Sequence, residues 1–202
     1  METFVLNQDN FTDAVAAAVE VLQLSGSVIL IPTETVYGLV CRWDDVAARE
    51  RIYRMKMRDG RKPLAMFAAD TDALNRCGVM LNDIARRLTA RFCPGPITVI
   101  AHNRDGSTTG FRIPDYPFVQ KLMTSLQFPL ASTSANLSGH PNARSVVEAL
   151  AELTEAPDLV IDAGRIPADA LASTVVDATG DQPVILRAGP ISDQEIALLF
   201  HS

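Results

Sequence analysis

Short apolar runs recur along the chain, and polar, glycine- and proline-rich segments stand at their ends. Such runs, bounded by turn residues, predict short buried strands. They fall at 28–31, 38–41, 64–68, 97–101, 110–113, 129–132, 159–162, 174–177 and 184–187. Stretches with helical spacing lie among them. Phe11, Ala14, Val15, Ala18, Val19 and Leu22 share one helical face, with Asn10 or Thr12 as a cap and Gly26 as a stop. Further helices are predicted from Asp44 or Asp45 to Met57, and over 71–77, 81–92, 116–126, 144–153 and 192–200. Cys93-Pro94-Gly95-Pro96 must turn, because proline cannot continue a helix and glycine admits unusual dihedrals. Some strands follow one another directly, which breaks the strict alternation of a doubly wound parallel fold. The expected fold is therefore α/β (α+β), a mixed sheet covered by helices, forming one domain over 1–202. Functional groups are expected on the loops at strand ends.

Composition narrows the class. The chain has 202 residues, 48% apolar and 21% charged, which suits a globular domain with a sizeable core. No apolar stretch approaches the roughly 20 residues that span a bilayer, and 1–10 do not read as a signal peptide. Cys41, Cys77 and Cys93 are scattered and odd in number, so neither a disulfide framework nor a metal spacing is present. A reducing cytoplasm is the expected home. The net charge of −6 argues against a protein that clamps a nucleic-acid backbone. Between Arg42 and Lys62, however, stand eight Lys and Arg residues against four acids. This island is either a solvated helix face or the seat of a compact anion such as a nucleotide.

Three segments carry chemistry. In Pro32-Thr33-Glu34-Thr35-Val36-Tyr37-Gly38-Leu39, two hydroxyls and a carboxylate follow an apolar run. They make either a capped turn or a site for a zwitterion or phosphate edge. In Lys56-Met57-Arg58-Asp59-Gly60-Arg61-Lys62-Pro63-Leu64, four cations leave a helix end. The helix dipole favours cations there, but Gly60 and Pro63 can bend them onto one triphosphate. A Walker loop is excluded by the spacing. In Ser132-Thr133-Ser134-Ala135-Asn136-Leu137-Ser138-Gly139, small residues after a strand suit either a surface turn or an anion nest of exposed N–H groups.

Arg112 and Arg187 sit in apolar surroundings and require a partner, either a substrate anion or an internal carboxylate. Arg144 reads as ordinary helix-start surface, and His102, His140 and His201 as non-catalytic. With no nucleophile elbow or CxxC unit, the mechanism must rest on positioning and charge neutralisation.

Taken together, PTETVYGL at 32–39, KMR and KPL within 56–64, PGPIT at 94–98, FRIP at 111–114, STSANLSG at 132–139, STVVD at 173–177 and ILRAG at 185–189 resemble the YrdC-like family. Within it they resemble the threonylcarbamoyl-AMP synthases of the short, single-domain type. The resemblance implies a twisted mixed β-sheet flanked by helices around a large cleft. It implies a nucleotidyltransferase that joins L-threonine, bicarbonate or CO2, and ATP into threonylcarbamoyl-AMP and pyrophosphate. A threonylcarbamoyl-transferase complex would then modify tRNA next to the anticodon. By resemblance, ATP falls to Lys56, Arg58, Lys62, Thr108, Ser134, Asn136, Asn142 and Arg187. Threonine falls to Thr35, Phe67, Arg112 and Ser132. Lys56, Arg58 and Arg112 would act electrostatically, and Mg²⁺ would accompany ATP without a carboxylate cage.

Two positions depart from the family pattern. Phe67 stands where many relatives have histidine, which puts amino-acid selectivity in question, and Asn142 stands where serine is common. One alternative is a YrdC-like paralogue that binds double-stranded RNA without synthase activity. Another is a carbamoyl-adenylate enzyme of hydrogenase maturation, whose chain is normally much larger.

Overall fold

The computed structural model describes residues 1–60 and 62–200; Arg61 and His201 lie outside them. In chain order the strands are β1 (Glu2–Val5), β2 (Ile29–Ile31), β3 (Gly38–Arg42), β4 (Ala65–Phe67), β5 (Val79–Met80), β6 (Ile97–Asn103), β7 (Thr108–Arg112), β8 (Leu130–Ser134), β9 (Leu159–Asp162), β10 (Thr174–Asp177) and β11 (Val184–Arg187). The helices are α1 (Phe11–Gln23), α2 (Val46–Met55), α3 (Thr71–Arg76), α4 (Asp83–Phe92), α5 (Pro117–Ser125), α6 (Val146–Glu152) and α7 (Asp193–Phe200).

The described residues form one mixed sheet in the order β1-β9-β2-β3-β8-β4-β7-β6-β10-β11, with β5 on β6. Four pairs are parallel (β1 with β9, β2 with β9, β4 with β7, β6 with β10) and the others antiparallel. The expected mixed sheet covered by helices is what forms.

Because side chains alternate between faces along a strand, register decides what each face carries. On one face Leu39, Ala131, Met66, Phe111, Val99 and Val176 are buried under two helix layers, α2 with α6 and α3 with α4 and α7. On the other, Ile29, Ile31, Val40 and Leu130 pack beneath α1 and α5. That second cover stops part-way across the sheet. Beyond it the same face carries small or polar residues, among them Ala65, Gly110, Thr98, Ser132 and Ser134, and these line a cavity instead. The cleft thus follows from an alternation in which one phase is apolar throughout and the other turns polar after β3.

Several boundaries differ from expectation. α1 ends at Gln23, before Gly26, and Asn10 precedes it without a side-chain cap bond. α2 starts where Asp45 accepts from Ala48 N, but stops at Met55, two residues early. Lys56 caps it and Met57 takes φ 48°, a left-handed turn that redirects the chain. β1 and β5 were not expected. β1 reads as surface because three of its four residues are exposed, and β5 has only two residues.

Candidate functional site

The cavity, about 300 Å³, is lined from β3, β4, β6, β7, β8, β10 and β11 and from the turn at 33–36. Arg58, Arg112 and Arg187 line it, and no Asp or Glu does so among the described residues.

Thr33 folds the turn: its hydroxyl donates to Val36 O (2.7 Å) and accepts from Thr35 N (3.1 Å) and Val36 N (3.2 Å). The turn is therefore both a capped turn and a cavity wall. Thr35 is held 2.9 Å from Thr33 Oγ1 and accepts from Arg112 Nη1, also 2.9 Å. Arg112 is buried beside Phe67, which β4–β7 pairing sets opposite it; the guanidinium carbon lies 5.6 Å from the ring centroid. Its internal partner is Glu34, with Oε1 2.8 Å from Nη2. This is an ion-pair distance, but the hydrogens are not aligned along it. Nη2 and Glu34 Oε2 are both buried with no hydrogen-bond partner among the described residues. Arg112 therefore has an internal carboxylate and still keeps a donor for an incoming one.

Arg187 reaches the cavity through a β-bulge. Opposite β10, Ile185 pairs with Val176 and Arg187 with Val175, so Leu186 is the extra residue. Val176 faces the core and Val175 the cavity. Without the bulge Arg187 would share Ile185's core-facing side. Its Nε and Nη2 donate to Ser173 O at 3.0 and 2.9 Å. Burial, then the charges of Arg112 and Arg58, push its pKa down, as burial does for Arg58. The cavity is thus a confined positive region without a lining carboxylate, a setting that favours anions.

The cation cluster does not converge as expected. Lys56 turns inward at the end of α2 and donates to the carbonyls of Ser134 and Asn136. It is buried outside the cavity lining. Burial, then Arg58's charge, lowers its pKa to about 7 against an opposing effect of Glu152. Arg58 donates to Lys62 O (3.1 Å) and Pro63 O (3.0 Å) and faces the cavity. Lys62 is exposed and, like Asn142, outside the lining. Nor is the wider basic island free. Arg42 pairs with Asp44, and Arg51 pairs with Glu155 and Asp158.

The anion nest expected in the serine loop loses three of its N–H groups. The N–H groups of Ala135, Leu137 and Ser138 are spent on Tyr37 O, Glu152 Oε2 and Lys56 O. Asn136 supports the loop through Leu137 O and His140 O, both at 2.8 Å. What this segment adds to the cavity wall is Ser132, Thr133 and Ser134. Thr108 stands exposed in the lining. Ser173 was not singled out from the sequence. It lines the cavity and sits 2.8 Å from Thr98 Oγ1 while accepting from Arg187. Its signal was its place directly before an apolar run in STVVD, whereas Thr33 follows one. His102 and His140 stay outside the cavity, on Thr179 O and near Glu152.

Gly189 lets the wall close. A Cβ there would lie 2.4 Å from Thr174 N and 2.5 Å from Ala172 O, backbone atoms that cannot swing away. Gly189→Ala is expected to cost about 3 kcal/mol, roughly 6–12 °C in Tm. Thermal unfolding checks this, and an unchanged Tm would contradict the close approach.

Comparison with known proteins agrees with this geometry. The Sua5/YciO/YrdC family model, described as "Telomere recombination", matches residues 21–189. The threonylcarbamoyl-AMP synthase of Homo sapiens is 37% identical over 205 residues, spanning 94% of this chain and 72% of that one. That of Chromohalobacter salexigens is 33% identical over 178 residues, 84% of this chain and 92% of that one. The structure of Pyrococcus abyssi Sua5 complexed with L-threonine matches with a TM-score of 0.84 at 27% identity, over 99% of this chain and 60% of that longer one. The order of motifs, the mixed sheet with its arginine-lined cleft, and these matches lead to one assignment: the chain belongs to the Sua5/YciO/YrdC family.

Proposed function

We propose that this protein is an L-threonylcarbamoyladenylate synthase, a single-domain nucleotidyltransferase that serves tRNA modification. The observation that carries this reading is the cavity itself. Three arginines surround a hydroxyl-lined space, and one of them, Arg112, keeps a buried N–H without a hydrogen-bond partner among the described residues. ATP is anionic and threonine carries a carboxylate, and their reaction needs alignment and charge dispersal rather than a covalent nucleophile.

Arg112 and Thr35 bind the threonine carboxylate, with Ser132 and the Phe67 ring closing that end. Threonine carboxylated on its amino nitrogen then supplies the oxygen that attacks the α-phosphorus. The bond from that phosphorus to the β-phosphate bridging oxygen breaks, and pyrophosphate leaves. Arg58, Arg187, Ser134 and Thr108 take the nucleotide. Lys56 and Asn136 hold the serine loop from behind, and Lys62 and Asn142 are not assigned direct contact. Magnesium would accompany the triphosphate and neutralise its charge. The cavity lining offers no carboxylate for it among the described residues, so phosphate oxygens and water would hold it. Bicarbonate or CO2 is the one-carbon substrate, and a threonylcarbamoyl-transferase complex in the cytoplasm receives the product. No helix among the described residues is long and apolar enough to cross a membrane. The double-stranded RNA reading gains nothing from Arg42, Arg51 and Lys56 of the basic island, which are paired internally or turned inward.

Purified protein with ATP, Mg²⁺, bicarbonate and single amino acids is expected to release pyrophosphate with threonine. No release with any amino acid overturns the proposal. Release of equal rate with serine or valine assigns Phe67 a looser pocket and overturns selectivity for threonine.

A further inference from the structure

We propose that Glu34 is a positioning residue for the amino-acid end of the site, acting through Arg112; this rests on the synthase reading above. The two residues approach from opposite sides of one wall. Arg112 lines the 300 Å³ cavity, whereas Glu34 lines a neighbouring cavity of about 610 Å³ on the far side of the 33–36 turn. Thr33 is shared by both. Glu34 therefore meets the guanidinium from behind, through Oε1 at 2.8 Å from Nη2. A substrate carboxylate in the first cavity meets it from the front. Glu34 is a standing counter-ion, not a place-holder that the substrate must evict.

Glu34 is itself anchored. The same Oε1 accepts from Asp115 N at 2.8 Å. Asp115 lies three residues after Arg112, so one carboxylate oxygen ties the hydroxyl-bearing turn to both ends of a short segment leaving β7. The remaining hold on Arg112 is weaker or softer: Thr35 Oγ1 at 2.9 Å, Gly95 O at 3.4 Å, and the face of Phe67. A phenyl ring accepts a cation without fixing its rotation, and a hydroxyl partner can rotate. Glu34 contributes the charged partner, whose ion-pair attraction holds the guanidinium against the turn. Glu34 is only partly exposed, and its Oε2 is buried without a hydrogen-bond partner among the described residues.

The test is pyrophosphate release by the full chain as wild type, Glu34→Gln, Arg112→Ala and the double variant. Glu34→Gln is expected to raise the threonine KM about 10- to 100-fold. The ATP KM should stay within about twofold, and Glu34→Asp should recover part of the loss. In the Arg112→Ala background, adding Glu34→Gln should change the threonine KM by less than about twofold, because its effect runs through the missing guanidinium. A merely structural role predicts the opposite: equal rises in both KM values, or a full multiplicative effect without Arg112. Either result overturns the proposal. If Glu34→Gln does not fold, shown by the loss of its melting transition, Glu34→Asp carries the same cycle. A wild type that turns over no amino acid overturns the synthase reading and this inference with it, whereas an active wild type with an unselective Glu34→Gln variant overturns this inference alone.

Discussion

Arg112→Ala is expected to raise the threonine KM by about a hundredfold or more, while the ATP KM changes by less than about threefold. The asymmetry follows from where Arg112 sits. It is buried with Thr35 and Phe67 at the end proposed for threonine, whereas Arg58 and Arg187 line the cavity where the nucleotide is proposed to lie. Truncation also strands Glu34, whose Oε2 already lacks a hydrogen-bond partner among the described residues. Arg112→Lys is expected to recover little, since a point charge cannot hold Thr35 and Glu34 and still present a second donor. Steady-state kinetics with each substrate varied in turn is the measurement. Equal rises in both KM values would remove Arg112 from the threonine end.

Lys56→Met is expected to lower both stability and turnover. The ammonium joins the end of α2 to the carbonyls of Ser134 and Asn136. Without it, buried carbonyl oxygens lose their donors, at a cost of at least about 2 kcal/mol, about 4–8 °C in Tm. Ser134 is then free to drift at the phosphate end, where misplacement by an ångström costs about a hundredfold in rate. The pH dependence carries a sign. Burial brings the folded pKa to about 7, below its ordinary value of 10.5. Between those values the unfolded chain binds the proton that the folded chain has lost, so this group makes stability rise with pH. Below pH about 7 both states are protonated, and the penalty for burying the charge is complete. The Tm difference between wild type and Lys56→Met should therefore widen from pH 7 towards 10. A constant difference over that range would mean that Lys56 keeps an ordinary pKa.

Much of the fold was legible because the apolar runs are short and their bounds chemical. β2 ends at Pro32, α2 begins on Asp45, and α4 begins on Asn82, whose side chain accepts from Ala85 N. β1 was not legible. Its partner β9 begins 157 positions later, and its own residues are mostly exposed. Pattern within a window cannot report a pairing made outside it. The site divides in the same way. Hydroxyl-rich turns after strands announced the Thr33–Thr35 and Ser132–Ser134 walls. The direction of Lys56 depended on α2 ending at Met55 and on the left-handed Met57, neither of which propensity fixes. Arg187 could be named from its apolar setting, but the bulge at Leu186 that aims it could not. Arg112 was open between a substrate anion and an internal carboxylate. The geometry allows both at once, on different nitrogen hydrogens.

The order of strands in the sheet has a consequence for how the protein is made. β1 waits for β9, and β6 gains its second long neighbour only when β10 arrives. The cavity draws on residues from Thr33 to Arg187, so a nascent chain holds most of its future walls before it can close them. Until the last strands emerge, the strands that will end up inside the sheet are its edges, and unpaired edges recruit other chains. Such a topology favours slow, late closure over piecewise folding. A ribosome-bound chain ending before β10 should therefore remain sensitive to protease even where its helices have formed, and resistance should appear in one step after β11 clears the exit tunnel.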